Sequence, residues 1–343
     1  KKNYVLAPKK VSDTVDHVVM SDFLSDDEFK NFRIILSNNH KKHLHGGWGS
    51  VNDELDRMWT KDRSENLITF LWESYQSYPE KLWASDWYAI EHLVNYCPEY
   101  YADVLPSSPT ISSFYEKLNE SGLLDEKCKG ILFTSQHTME TNSNLIHLQN
   151  KRLGVVHHPI MPDISCPKFS IDRYLDNGNK KLINLGWFNR NFGFFEKLDV
   201  QDHEKLFVFG GKEDYKYKVF SADMEYHGIP ECTSRIAPKM SDQELNQLLT
   251  NNILFINLYD SSANNAIINA IQRHCPILLN RLPACEEYLG SEYPLFYDND
   301  VDIRYLLIED NIIDAYNYLK DFNIDKFSIS SMVQSINAFI GGY

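Results

Sequence analysis

No apolar run in the 343-residue chain approaches the roughly 18 residues that a membrane-spanning helix needs. The opening residues, KKNYVLAPKK, lack the apolar centre of a signal peptide, so a cytoplasmic protein with no transmembrane segment is expected. The chain begins at Lys rather than Met, which leaves truncation at the N-terminus open. Positive charge is scarce: 34 Lys and Arg stand against 48 Asp and Glu, a formal net charge of −14. Binding DNA or RNA requires a basic stripe that displaces counterions, so nucleic acid is excluded as a partner. A local basic pocket for a nucleotide diphosphate is not. The six cysteines (Cys97, Cys128, Cys166, Cys232, Cys275 and Cys285) form no C-x-x-C pair. That argues against zinc and against a disulfide framework, and for reduced, mostly buried thiols. There is no internal repeat, no low-complexity tract and no early G-x-G-x-x-G following a strand.

What is present is a rhythm. With 43% apolar and 13% aromatic residues the chain is long enough for two ordinary domains. SDFLSDDEFKNFRIILSNN carries a cap signal followed by helical spacing, and HKKHLHGGWGS reads as a glycine loop. NLITFLWES is a strand candidate, and DWYAIEHLVNYCPEYY has helical spacing up to Pro98. CKGILFTS, QHTMETNSNLIHLQNK and LGVVHHPI read as strand, helix and strand, a βαβ unit in a parallel sheet. Residues 161–180, with two prolines and DNGN, form the linker between a first domain over 1–160 and a second over 181–343. The last helix is a candidate to cross back.

The second half repeats the alternation. KKLINLGWFN and EKLFVFGGKED are strands ending in glycine turns, and SDQELNQLLTN is a helix opened by a capping box. ILFINLYD, NNAIINAIQRH, CPILLNR, LPACEEYLG and YPLFYDN follow as strand, helix, strand, short helix and strand, then helices to the end. In such a doubly wound domain ligands sit beyond the carboxyl ends of the strands. Three ends stand out: Gly186 with Arg190, Gly210 with Gly211, and the LYDSSANN segment holding Ser261, Ser262, Asn264 and Asn265. Gly186 permits close backbone approach, Arg190 offers charge-assisted bonds to phosphate, and a helix N-terminus favours an anion. The plain alternative for the serines and asparagines is helix capping.

The segment MSDQELNQLLTNNILFINLYDSSANNAIINAIQRHCPILLNRLPACEEYLG resembles the donor-binding segment of nucleotide-sugar glycosyltransferases of the two-domain GT-B fold. KKLINLGWFNRN resembles the strand and phosphate-side glycine loop that open the second domain of that family. CKGILFTSQHTMETNSNLI and LGVVHHPI resemble the last units of its first domain, so the likeness runs over about 128–297. It implies an α/β chain with two Rossmann-like domains facing a cleft. It also implies a UDP- or GDP-linked sugar as substrate, a hydroxyl of a glycan or glycoconjugate as acceptor, and neither cofactor nor metal. DND at 298–300 is read as a turn rather than a metal-binding D-x-D. Many retaining members carry two glutamates separated by seven residues. Laid through Cys275-Pro276, that pattern puts Ser261 at the first and Asn269 at the second, and neither is acidic. An Asn amide at 269 can still hold ribose hydroxyls, and Asn264 and Asn265 can take phosphate or sugar contacts. Glu286 and Glu287 are further ribose partners or exposed caps.

On the acceptor side Glu73, at the end of the LITFLWES strand, is the candidate general base, with Asp86 second. The alternative for both is a solvated loop carboxylate. Trp72, Trp83 and Trp87 are stacking or packing residues. His40, His43 and His45 show no fourth metal ligand, and His157 and His158 are hinge or phosphate candidates. The alternative to an enzyme is a catalytically inactive GT-B-like protein that binds glycans or acts as a scaffold, since both expected glutamates are missing.

Overall fold

The protein is described by a computed structural model covering residues 67–70, 87–105, 110–120, 128–145, 148–160, 166–200, 202–210, 215–298 and 302–341. In chain order its first elements are β1 (Leu67–Phe70), β2 (Trp87–Glu91), α1 (Tyr100–Val104), α2 (Ile111–Glu120), β3 (Cys128–Phe133), α3 (Gln136–Asn142) and β4 (Arg152–Val155). Next come α4 (Ile171–Leu175), β5 (Lys181–Leu185), α5 (Phe192–Lys197), β6 (Glu204–Val208), α6 (Tyr215–Tyr226), β7 (Arg235–Ile236) and α7 (Asp242–Leu248). The last are β8 (Ile253–Ile256), α8 (Asn265–Arg273), β9 (Ile277–Asn280), α9 (Pro283–Leu289), β10 (Phe296–Tyr297), α10 (Glu309–Asp321) and α11 (Ile329–Gly341). Two compact units result. One holds the described residues up to Leu93, those of 111–162 and those from Ile324 onward; the other holds 94–110 and 163–323.

The sheet of the first unit is parallel throughout, in the order β1-β2-β3-β4. The helical spacing of DWYAIEHLVNYCPEYY does not give a helix: Trp87–Glu91 is an inner strand with every residue buried, and α1 begins only at Tyr100. A strand covered on both faces has no polar face to alternate with, so its apolar run mimics a buried helix. Helix α3 stops at Asn142, well short of the predicted span, after its start is capped by Ser135, whose hydroxyl accepts from Thr138 N–H. Helix α11 is latched to this sheet by Phe339. A Cβ on Gly130 would lie 2.7 Å from the Phe339 ring and one on Gly154 also 2.7 Å, so two facing glycines make the slot that takes it. Arg152 donates to the carbonyls of Phe339 and Ile340, answering the end of the helix.

The sheet of the second unit, also parallel, runs β10-β9-β8-β5-β6-β7. Strand β5 therefore has β6 on one side and β8 on the other, which makes the β5/β8 boundary the point where the winding reverses. Phenylalanines fill the layer under α5: Phe195 lies 5.0 Å from both Phe207 and Phe255. Those two residues flank Asn184 in register. The Asn184 amide is fully buried, and neither its oxygen nor its nitrogen is bonded among the described residues. Helix α7 forms with the predicted capping box of Ser241 and Glu244. Helix α8 is buried from Ala266 through Arg273 and ends on His274 in the left-handed region.

Two stability outcomes are expected. Phe339→Ala should cost about 3 kcal/mol in denaturant unfolding, and Gly130→Ala should be costly alone yet much cheaper in the Phe339→Ala background. Equal costs in both backgrounds would reject the slot. Asn184→Leu should raise the melting temperature, because an unsatisfied buried amide costs on the order of 1–3 kcal/mol.

Candidate functional site

Strand β5 leads into Gly186, whose N–H donates to Val208 O at 2.9 Å and whose φ is +91°. The chain turns through Trp187 and Phe188 to Asn189, at φ +55°, and then to Arg190. Asn191 caps α5, its side chain accepting from Phe194 N–H at 2.8 Å. Strand β8 leads into Asn257 and Leu258, and Leu258 pairs as an isolated bridge with Arg190. Asn280, at the end of β9, holds the same residue by both amide atoms: Oδ1 accepts from Leu258 N–H at 2.8 Å and Nδ2 donates to Leu258 O at 2.9 Å. The two loops of the switch point are thus fixed to each other before any ligand is considered.

Arg190 is buried at 6% exposure and its guanidinium faces inward. Nε donates to Leu185 O at 3.1 Å, Nη1 to Phe188 O at 3.1 Å and Nη2 to Asn264 Oδ1 at 3.3 Å. Burial lowers its pKa to about 10, with Tyr101 opposing the shift, so it stays charged at neutral pH. A Cβ at 186 would sit 3.1 Å from Nη2, so Gly186 serves both the turn and the guanidinium. Asn264 is the N-cap of α8, its Oδ1 also accepting from Ala266 N–H at 3.0 Å.

Ser261 and Ser262 are buried in the approach to α8, and Asn265, half-buried, opens the helix. Among the described residues the buried Ser261 hydroxyl meets the Cys285 thiol and no oxygen or nitrogen partner. Desolvation pushes that buried thiol up to about 12, with its hydrogen bond to Ser261 opposing. Asn269 lies a turn deeper, where its Oδ1 accepts from Arg273 Nε at 2.6 Å. Arg273 also donates to Pro167 O and to Asn246 Oδ1, so this amide belongs to a buried knot below the loop. Gly210 is exposed at the end of β6, and a Cβ added there would meet no described atom within 4 Å; Gly211 lies outside the described residues. The structure therefore brings Gly186, Arg190, Ser261, Ser262, Asn264 and Asn265 together, and sets Asn269 and Gly210 apart from them.

Glu73, Asp86, Trp72, Trp83, His40, His43 and His45 lie outside the described residues. Trp87 belongs to the core of the first unit. His158 is buried with Nδ1 donating to Pro159 O, and His157 meets Phe327 edge to face at 5.7 Å. Glu286 is paired with Arg281. Sequence reasoning passed over Glu91, a fully buried carboxyl at the end of β2 raised by desolvation to about 7, and His92 beside it, lowered to about 4 by burial and by His158. Among the described residues no group of three or more His, Cys, Asp or Glu is placed to hold a metal, and no helix is long and apolar enough to cross a membrane.

No protein-family model and no curated protein sequence matches the chain. Solved structures do. Sucrose-phosphate synthase from Thermosynechococcus elongatus superposes with a TM-score of 0.56 at 9% identity, over 84% of this chain and 76% of that one. HepE from Anabaena, in complex with UDP and glucose, gives 0.56 at 10% identity, over 84% of this chain and 81% of HepE. A mutant of TarM from S. aureus, in complex with fondaparinux, α-GlcNAc-glycerol and UDP, gives 0.55 at 12% identity, over 80% of this chain but only 55% of TarM. With two parallel α/β units of this order, the chain has the fold of the GT-B glycosyltransferases.

Proposed function

We propose that the protein is a glycosyltransferase that moves a sugar from a nucleotide diphosphate to a hydroxyl of a glycan or glycoconjugate, with its second unit holding the donor. The observation that carries this reading is the Ser261 hydroxyl, buried with only the Cys285 thiol against it among the described residues, where the winding of the sheet reverses and α8 begins. A thiol is a weak hydrogen-bond partner for a buried hydroxyl, and a ligand oxygen is a stronger one. HepE, of the same fold, binds UDP and glucose, which supports a nucleotide-sugar in this place.

Each residue then has a task. Gly186 lets the backbone approach the diphosphate, and the N-terminus of α8 offers the positive end of its dipole. Ser261, Ser262 and Asn265 take phosphate or sugar oxygens. Asn264 and Arg190 keep the rim in shape, and Arg190 adds positive charge beneath the site. Asn269 reaches the ribose only if it gives up Arg273. Gly210 leaves the neighbouring strand end open for the base, and Gly211 is assigned to the same contact. On the acceptor side Glu73, with Asp86 as alternate, removes the hydroxyl proton. The leaving diphosphate is stabilised by fixed dipoles and charge rather than by a metal, with no cofactor.

A second reading has its own observation. Arg190, Asn264 and Asn269 are already bonded within the protein, and the two positions expected to be glutamate are Ser261 and Asn269. This favours a binding or scaffolding protein that holds glycans without turnover.

Release of UDP or GDP from the corresponding sugar nucleotides, measured in the presence of EDTA, separates the two. The transferase reading expects turnover that EDTA leaves unchanged. It expects Ser261→Val to weaken donor binding by roughly tenfold, about 1.4 kcal/mol. It expects Glu73→Gln to lower kcat with little change in nucleotide affinity. Neither turnover nor a nucleotide-dependent thermal shift would leave only the second reading.

A further inference from the structure

Between β2 and α2, both in the first unit, the chain passes into the second unit over residues 94–110. This excursion meets the switch-point loops through polar contacts. Asp260 Oδ2 accepts from Asn95 N–H at 2.6 Å and Tyr96 N–H at 3.0 Å, while Oδ1 accepts from Ser261 N–H at 2.8 Å. Asn189 is held in the left-handed region by three bonds of its own. Its N–H donates to Tyr101 Oη at 2.5 Å, and its amide nitrogen donates to Asp260 O at 2.8 Å and Tyr96 O at 3.2 Å. The Tyr101 ring also meets Phe188 edge to face at 5.8 Å.

We propose that Asp260 is a positioning residue for the ligand site, one carboxylate that sets the Ser261 backbone and clamps the Asn95–Tyr96 strap onto the switch-point loops. The chemistry fits that task. A carboxylate accepting several backbone N–H groups is held in one orientation, and charge-assisted bonds are the stronger kind. Through Ser261 N–H it fixes the residue to which the proposed function gives a ligand contact. Through Asn95 and Tyr96 it fixes a stretch that continues from β2, the strand next to β1. Asn189 and Tyr101 close the same ring from the β5 side. Freed from the clamp, the strap and the Ser261 loop move independently, and the ligand has to order both. The identity of the ligand as a nucleotide rests on the function proposed above; the clamp does not.

The test uses the full chain as wild type, Asp260→Ala and Asp260→Asn. Without ligand, hydrogen exchange at the Asn95 and Tyr96 amides should be roughly tenfold or more faster in Asp260→Ala, the scale of one to two lost charge-assisted bonds, while amides in β5 and β8 are unchanged. Asp260→Asn, which keeps one acceptor oxygen but no charge, should fall between. With UDP as probe, the Kd should rise by a similar factor in Asp260→Ala and partly recover in Asp260→Asn, at unchanged melting temperature of the ligand-free proteins within the pair. Unchanged exchange at Asn95 and Tyr96 overturns the clamp. Faster exchange with an unchanged UDP Kd overturns its positioning role. No UDP binding by the wild type defeats the nucleotide-sugar reading instead, and exchange alone then decides the clamp.

Discussion

A guanidinium buried among apolar residues has to be answered by acceptors, and at the switch point of the second unit this requirement organises everything around it. Arg190 spends its bonds on the last residue of β5, on its own turn and on the cap of α8. An uncompensated buried charge would cost several kcal/mol, so those three points cannot separate cheaply. The positive φ of Gly186 and the missing Cβ beside Nη2 follow from the same demand. The cation expected to face a phosphate is in this way committed to the frame. What is left less deeply buried is Asn265 at the beginning of α8, with the buried Ser261 hydroxyl against Cys285.

Two carboxylates play the matching part on the other flank. Asp260 gathers three backbone N–H groups, and Asp223, fully buried on α6, gathers the Tyr100 hydroxyl at 2.5 Å, the Tyr259 hydroxyl at 2.6 Å and Gly193 N–H at 2.8 Å. His227 bonds the Tyr259 hydroxyl at 2.7 Å and occupies the space where a Cβ of residue 193 would lie 2.3 Å from its ring. Asp260 ties the excursion of residues 94–110 to the loop after β8, and Asp223 ties it to that loop and to the start of α5. The apolar layers under α5 supply most of the stability, but they are indifferent to loop shape. Loop shape is set by these charged groups, whose bonds have direction.

The parallel α/β alternation of the second unit and the capping box of α7 were legible in the sequence, because strand and helix alternate there with clear caps and glycine turns; the strand order and β7 were not. Helix α6 was not. Its buried face includes Lys216 and Asp223, and two charged residues on the inner side erase the apolar period that would reveal it. Strand β2 was misread for the opposite reason, being apolar on both faces. Asp260 and Asn189 carried no signal beyond being turn formers, since, Ser261 apart, the partners of their side chains are 71 to 165 positions away. Arg190 was found but its direction was not, because a sequence shows which side chain is charged and not which acceptors surround it.

The substitutions at 261 and 269 and the inward turn of Arg190 make one consistent set. In the pattern the sequence resembles, two carboxylates stand near an anionic donor, and like charges at close range raise the energy of the bound state unless a cation offsets them. Ser261 and Asn269 remove both negative charges. With them gone, a cation facing the ligand is no longer needed to cancel protein charge, and Arg190 is available to hold the frame. Under the proposed function, a hydroxyl and a helix N-terminus then take oxygen-rich groups by hydrogen bonding and dipole. Such contacts treat a bound donor and its departing diphosphate more evenly than a free guanidinium would. Only groups that bind the transition state more tightly than the ground state raise kcat. Under the proposed function, such a site serves affinity, and the rate falls to the carboxylates proposed for the acceptor side.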